Sequence, residues 1–141
     1  MAKASGIGWT TLTVDDSTGS SNTDIKNDIT NLQFATPRAV TDVTGIDKFA
    51  IERLLLLADF SITLTAQWNT AGVHGVFKTI CSSQSVSRTT TLVVNTATLQ
   101  GGAGPGIETW YTDYQVTRAA GGDLNVSIPG VLADGSIPTW A

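Results

Sequence analysis

Cysteine and histidine are scarce in this chain, with one of each, Cys81 and His74, among 141 residues. A single cysteine excludes an internal disulfide and a cysteine-rich metal site. Nucleophilic catalysis needs a base beside the nucleophile. If both residues lie on one helix, their spacing puts them about 10 Å apart along its axis. That is too far for a hydrogen bond, so the expectation is a packed Cys81 and a surface or interface His74. Charge is also sparse, at 14% of residues, where about a quarter is ordinary. Eight Lys and Arg stand against twelve Asp and Glu, for a net charge of −4, and no cations cluster in a run. Firm binding of nucleic acid through phosphates needs such a cluster. Sliding contact with DNA is still compatible with this balance. Long hydrophobic runs are missing too. The longest, Leu54 to Ala58, falls far short of the ~20 residues of a membrane helix and reads as a core segment. The opening Met-Ala-Lys-Ala-Ser-Gly lacks the apolar stretch of a secretory signal. The expectation is a soluble product made in the cytoplasm, with no membrane partner.

The remaining chemical motifs are weak. Residues 15–24 offer carboxylate and hydroxyl oxygens near a glycine. They lack the spaced ligands, central glycine and closing glutamate of a calcium loop, so the segment is expected to be a solvated loop without metal. Residues 101–106 hold four glycines but no Walker lysine. Asn125-Val126-Ser127 matches the glycosylation triplet but falls on an expected strand. Glu52, Arg53 and Asp59 flank the leucine run; they mark the ends of a core strand or pair across a subunit contact. No catalytic residue, cofactor site or metal site is expected, and the chain is not read as an enzyme.

What the chain has in quantity is Thr, Ser, Gly and Val, which suits half-buried pleated surfaces and turns. Residues 6–14 read as a first strand, 15–24 as a loop, and 27–34 as a second strand broken by Thr36-Pro37-Arg38. Residues 36–48 read as an extended or looping stretch. In the next segment Ile46, Phe49, Ala50, Arg53, Leu54 and Leu57 share a helical face, while the leucine run fits a strand; periodicity leaves both open. Residues 60–68 alternate at period two, the cleanest strand signal in the sequence. Asn69 or Thr70 can cap a short helix bearing Val73, Val76, Phe77 and Ile80. Residues 86–96 read as a strand and the glycines of 99–107 as a flexible loop. Residues 110–118 and 124–128 form a hairpin across Gly121-Gly122. After the turn at Pro129 and Gly130, a last short strand ends at Trp140. Six to eight strands and one helix, in one domain spanning 1–141, give a mainly β sandwich or barrel with one short flanking α-helix.

The order of several segments resembles the tail tube (major tail) proteins of long-tailed, non-contractile phages, actinobacteriophage-like ones above all. These are Asp28-Ile29-Thr30-Asn31-Leu32, then Phe34-Ala35-Thr36-Pro37-Arg38, Asp42-Val43-Thr44-Gly45, and Glu52-Arg53 through Asp59-Phe60. Later come Thr112-Asp113-Tyr114, Thr117-Arg118-Ala119 and the stretch from Leu132 to Trp140. The resemblance implies a β-sandwich with one flanking helix and a strand at 50–57. It implies rings of six copies, stacked into a tube in the virion, with DNA and a tape measure protein passing through. Tail terminator and distal tail proteins would close the ends. Candidate contacts between subunits or rings are Ile7, Trp9, Pro37, Arg38, Asp42, Asp47, Lys48, Glu52, Arg53 and Trp140. An N-terminal arm of about residues 1–8 and the loops 15–24 and 36–48 are the segments expected to order on assembly.

Other classes are a tail terminator or head decoration protein, and a small β-barrel binding sugar or lipid, with Trp68, Trp110 and Trp140 lining its pocket. A terminator forms one ring and does not polymerise, whereas a binding module responds to ligand.

Overall fold

The computed structural model describes residues 5–7, 9–16, 18–19, 22–82, 86–102 and 104–141. Among these residues twelve strands and one short helix follow one another: β1 (Thr11–Asp15), β2 (Asn22–Asp24), β3 (Ile29–Ala35), β4 (Arg38–Asp42), β5 (Arg53–Ala58) and β6 (Ser61–Gln67). After them come α1 (Val73–Phe77), β7 (Arg88–Val94), β8 (Ala97–Gly101), β9 (Ile107–Tyr111), β10 (Gln115–Arg118), β11 (Leu124–Leu132) and β12 (Pro138–Trp140). Ten strands form one antiparallel sheet along the path β12-β8-β7-β9-β11-β6-β3, with β1 and β2 added at β7 and β10 added at β11. β4 and β5 form a separate two-stranded sheet.

The large sheet curls round a single apolar cluster. Leu12 and Leu92 from one half meet Ile62, Leu64 and Ile128 from the other, with Phe60, Phe77 and Tyr111 between them. Alternation makes this happen: in β6 Ile62, Leu64 and Ala66 are buried, while Ser61, Thr63 and Gln67 point away. β11 repeats the pattern with Val126, Ile128 and Gly130 inward. Gly130 is required there, because a Cβ would lie 2.8 Å from Thr109 Cγ2 and 2.9 Å from Tyr111 Cδ1.

The mainly β architecture agrees with the sequence; several boundaries differ. More strands are present than six to eight, because one expected strand is split in two and segments expected to be loops contain short strands of their own. Residues 110–118 divide into β9 and β10, whose break falls where Tyr114 accepts no ladder partner and turns toward α1. Pro129 is inside β11 and not in a turn; its carbonyl accepts the Thr112 amide at the junction of β9 and β10. The end of the 15–24 loop is the strand β2, paired with β1. The 36–48 loop contains β4, and the segment left open between helix and strand contains β5. The glycine loop is tight: the Gly101 amide donates to the Gly106 carbonyl, and the Gly106 amide to the Leu99 carbonyl. Gly106 takes a positive φ of 92°, which explains glycine at that turn.

α1 is capped otherwise than expected. Its N-cap is Gly72, with no side-chain cap of its own. The Asp28 carboxylate, arriving from the turn that precedes β3, accepts the Val73 amide at 3.1 Å and the Asn69 side-chain amide at 2.9 Å. Val73, Val76 and Phe77 are buried as expected. Arg88, fully buried at the start of β7, donates to the Val76 carbonyl and to Thr79 Oγ1, and lies over the Phe77 ring. It binds α1 to the sheet.

Candidate assembly surface

Leaving β3, the chain runs out through Pro37 into the β4–β5 hairpin and returns to β6 at Asp59. The base is closed by the Asp59 amide donating to the Pro37 carbonyl at 2.9 Å, and by Arg38 Nε donating to the Leu56 carbonyl at 2.8 Å. Further out, the Val43 amide donates to the Glu52 carbonyl, and the Glu52 amide donates to Thr44 Oγ1 at 2.8 Å. Thr44 in turn donates its amide and hydroxyl to Asp42 Oδ1. Those two bonds hold the Asp42 carboxyl below its ordinary value of 3.8. Lys48 and Glu52 form an ion pair of 3.5 Å at the tip. The arm is therefore tied along its whole length.

Among the described residues nothing covers it. Neither strand packs appreciably against any other element. Leu54 is 54% exposed, Leu55 58% and Leu57 85%, and Ile46 and Phe49 at the tip are fully exposed. The register puts apolar groups on both sides: Val40 faces Leu55 on one side, and Leu54 and Leu56 occupy the other. An ordinary core strand offers one or two apolar faces to its own protein. Here the leucine run, read from the sequence as a core segment, is exposed on both, because the hairpin leaves the body of the fold. Clustered exposed apolar side chains of this kind mark an interaction surface.

Seven of the ten candidate contact residues come together on this arm or its root: Pro37, Arg38, Asp42, Asp47, Lys48, Glu52 and Arg53. The other three lie elsewhere. Ile7 is exposed near the N terminus; residues 1–4 and 8 of the expected arm lie outside the described residues. Trp9 is partly buried against the core, with its indole N–H donating to the Thr11 carbonyl. Trp140 in β12 packs near Phe34, with ring centroids 5.9 Å apart.

Open strand edges add to the surface. β3, β10, β12 and β2 each pair on one side only among the described residues, leaving rows of backbone donors and acceptors available.

The expected roles of Cys81 and His74 are reversed. Cys81 is exposed, whereas His74 is partly buried, stacked on Trp68 at 4.0 Å and bonded through Nδ1 to the Tyr114 hydroxyl at 3.0 Å. Burial raises the Tyr114 pKa above 10.0. Trp68 thus belongs to one aromatic cluster and Trp140 to another, and a cleft lined by Trp9, Leu12, Lys26 and Leu32 includes none of Trp68, Trp110 and Trp140. Among the described residues no group of three His, Cys, Asp or Glu is placed to hold a metal, and no helix is long and apolar enough to cross a membrane.

No protein-family profile and no curated protein sequence matches this chain. Solved structures do. The chain aligns along 99% of its length with 99% of a chain from the tail of an empty gene transfer agent (GTA) particle, refined with helical and C6 symmetry, at a TM-score of 0.76 and 15% identity. A chain from the virion of the native gene transfer agent particle gives a TM-score of 0.74 at 13% identity, with 99% of both chains covered. A chain from the six-fold symmetrised baseplate of the anti-feeding prophage gives 0.63 at 12%, covering 100% of this chain and 97% of the other.

The fold is of the phage tail tube type. At such low identity the likeness lies in the arrangement of strands and not in particular side chains. It extends over 99% or more of this chain, arm included.

Proposed function

We propose that this chain is the repeating structural subunit of a phage tail tube, closing into six-membered rings that stack into a conduit for DNA. The observation that carries this reading is the β4–β5 hairpin: an internally bonded arm, apolar on both faces, that the described residues leave uncovered. Both faces need partners, and identical copies supply them by symmetry. Within a ring, the one-sided edges of β3 and β10 bracket the sheet β3-β6-β11-β10. Pairing β3 of one copy with β10 of the next continues the ladder and removes both edges. Between rings, the arm lies against the neighbouring copy, with Arg38, Asp42, Lys48, Glu52 and Arg53 setting register around the leucines. The virion is its place of action. Its other contacts are a tape measure protein and DNA in the lumen, and terminator and distal tail proteins at the ends. The structural parallels in gene transfer agent tails and a six-fold baseplate support the reading.

The test is electron microscopy and sedimentation of the purified full-length chain over a range of concentrations. Hollow tubes, or six-fold rings that stack, are expected. A chain that remains a monomer at high concentration, with its arm still exposed to limited proteolysis, overturns the reading. A single ring that never stacks identifies a terminator instead.

A further inference from the structure

The sheet β3-β6-β11-β10 has one face on the core and one free, and the paired positions of the free face carry no charge. The register defines it. Thr65 of β6 lies between Asn31 of β3 and Ser127 of β11, and Ser127 is followed by Gln115 of β10. One step along, Gln67 faces Asn125, and Gln67 Nε2 donates to Asn125 Oδ1. Every paired position on this face is Ser, Thr, Asn, Gln, Ala, Pro or Val. A surface of that extent on a soluble protein would carry about three or four charged groups. Carboxylates appear only where the strands end: Asp113 accepts from Gln115 and Asp123 from Asn125. The outward face of the other half of the sheet is different. There Glu108 shares a face with Thr89, and Asp24 shares one with Thr13.

We infer that this neutral face is the inner wall of the tube, a hydroxyl and amide lining along which duplex DNA passes without being gripped or repelled. The inference rests on the tube reading above. If copies join edge to edge through β3 and β10, the ring has this sheet as its barrel. The core, α1 and the β1–β7 half of each protomer all lie on the sheet's other side. That bulk packs outward, which turns the free face to the axis. A cation there would bind phosphate and slow transit, since each phosphate contact adds a salt-dependent increment of affinity. An anion would raise the energy of every phosphate that entered. Neutral hydrogen-bonding groups keep a water layer and add neither term.

The test uses the full chain with Cys81→Ser and Thr65→Cys, a near-isosteric change that is modified only after tubes have formed. Thr91→Cys on the opposite outward face, also with Cys81→Ser, is the control. In intact tubes a small maleimide is expected to label both positions. A polymer-linked maleimide wider than the bore is expected to label position 91 only. A 2-aminoethyl methanethiosulfonate reagent then attaches an ammonium at position 65 by forming a mixed disulfide and releasing sulfinate. Tubes so modified are expected to retain short duplex DNA at low salt about tenfold more than unmodified tubes, and to release it by about 200 mM salt. Labelling of position 65 by the polymer reagent overturns the inference, as does failure of the small reagent to reach it, or equal DNA retention before and after modification. Absence of tubes in the unsubstituted chain instead refutes the reading on which the inference rests.

Discussion

The Asp28 carboxylate accepts the amide of Val73, 45 residues further along the chain, at 3.1 Å, and so caps a helix from the turn that precedes β3. Its second oxygen accepts the Asn69 side chain at 2.9 Å. Asp28→Ala leaves two donors without their acceptor in a buried setting and is expected to cost about 2 kcal/mol. Asp28→Asn keeps one acceptor oxygen and should cost about half of that. Urea denaturation of the unassembled chain measures both; an Asp28→Ala chain within ~0.5 kcal/mol of the parent would show that the cap contributes nothing.

On the arm the expectation is the opposite: large effects on assembly and small ones on the protomer. Leu55, opposite Val40, and Leu57 are both exposed on the hairpin. Leu57→Asp removes no contact within the chain, so the denaturation midpoint should stay within ~0.5 kcal/mol of the parent. Tubes or rings should disappear from micrographs. A variant that assembles normally would free this face from any part in the assembly.

The period-two pattern of residues 60–68 identified β6, and the apolar spacing after Asn69 identified α1, because both elements bury their own side chains in the same chain. β5 did not yield to that kind of reading. Leu54 to Leu57 look like a core to any local criterion, since hydrophobicity does not say whose core. The clue available was the root, Thr36-Pro37, which sends the chain outward, together with charges at Arg53 and Asp59 on either side of the run. The short strand β2 was hidden because three residues carry no period, whereas the last strand, ending at Trp140, was legible from the turn before it. Arg88 was also missed: an arginine among threonines reads as exposed, and its partners on α1 become visible only when residues 76–79 fold back over β7. The neutral sheet face needed registers, which place positions from four distant segments side by side.

Asp15 gives a pH signature. Burial holds its carboxyl above the ordinary value of 3.8, against the lowering effect of the Thr89 hydrogen bonds. An acid with a raised folded pKa holds its proton more tightly folded than unfolded. Its contribution is therefore most favourable below 3.8 and declines as pH rises through the folded value. Asp15→Asn removes that dependence. The variant's stability relative to the parent should climb between pH 3.8 and the folded pKa and level off above it. Thermal unfolding of both chains across that range reads the difference; a constant offset would mean that Asp15 titrates as it does in the unfolded chain.

Gly130 is the tightest point between β9, β11 and β6. A Cβ there would stand 2.8 Å from Thr109 Cγ2, 2.9 Å from Tyr111 Cδ1 and 3.0 Å from Ile62 Cγ2. Tyr111 cannot yield cheaply, because it is fully buried and its hydroxyl is bonded to Thr90 Oγ1 at 2.6 Å. Gly130→Ala should therefore destabilise the chain by about 1–3 kcal/mol through overpacking. Thr109→Ser removes the nearest methyl while keeping a hydroxyl to donate to the Ile107 carbonyl. Combined with Gly130→Ala it should restore part of the loss, so the double variant is more stable than the sum of the two single changes predicts. Strict additivity in urea denaturation would show that the strain is relieved elsewhere, by a shift of β11 away from β9.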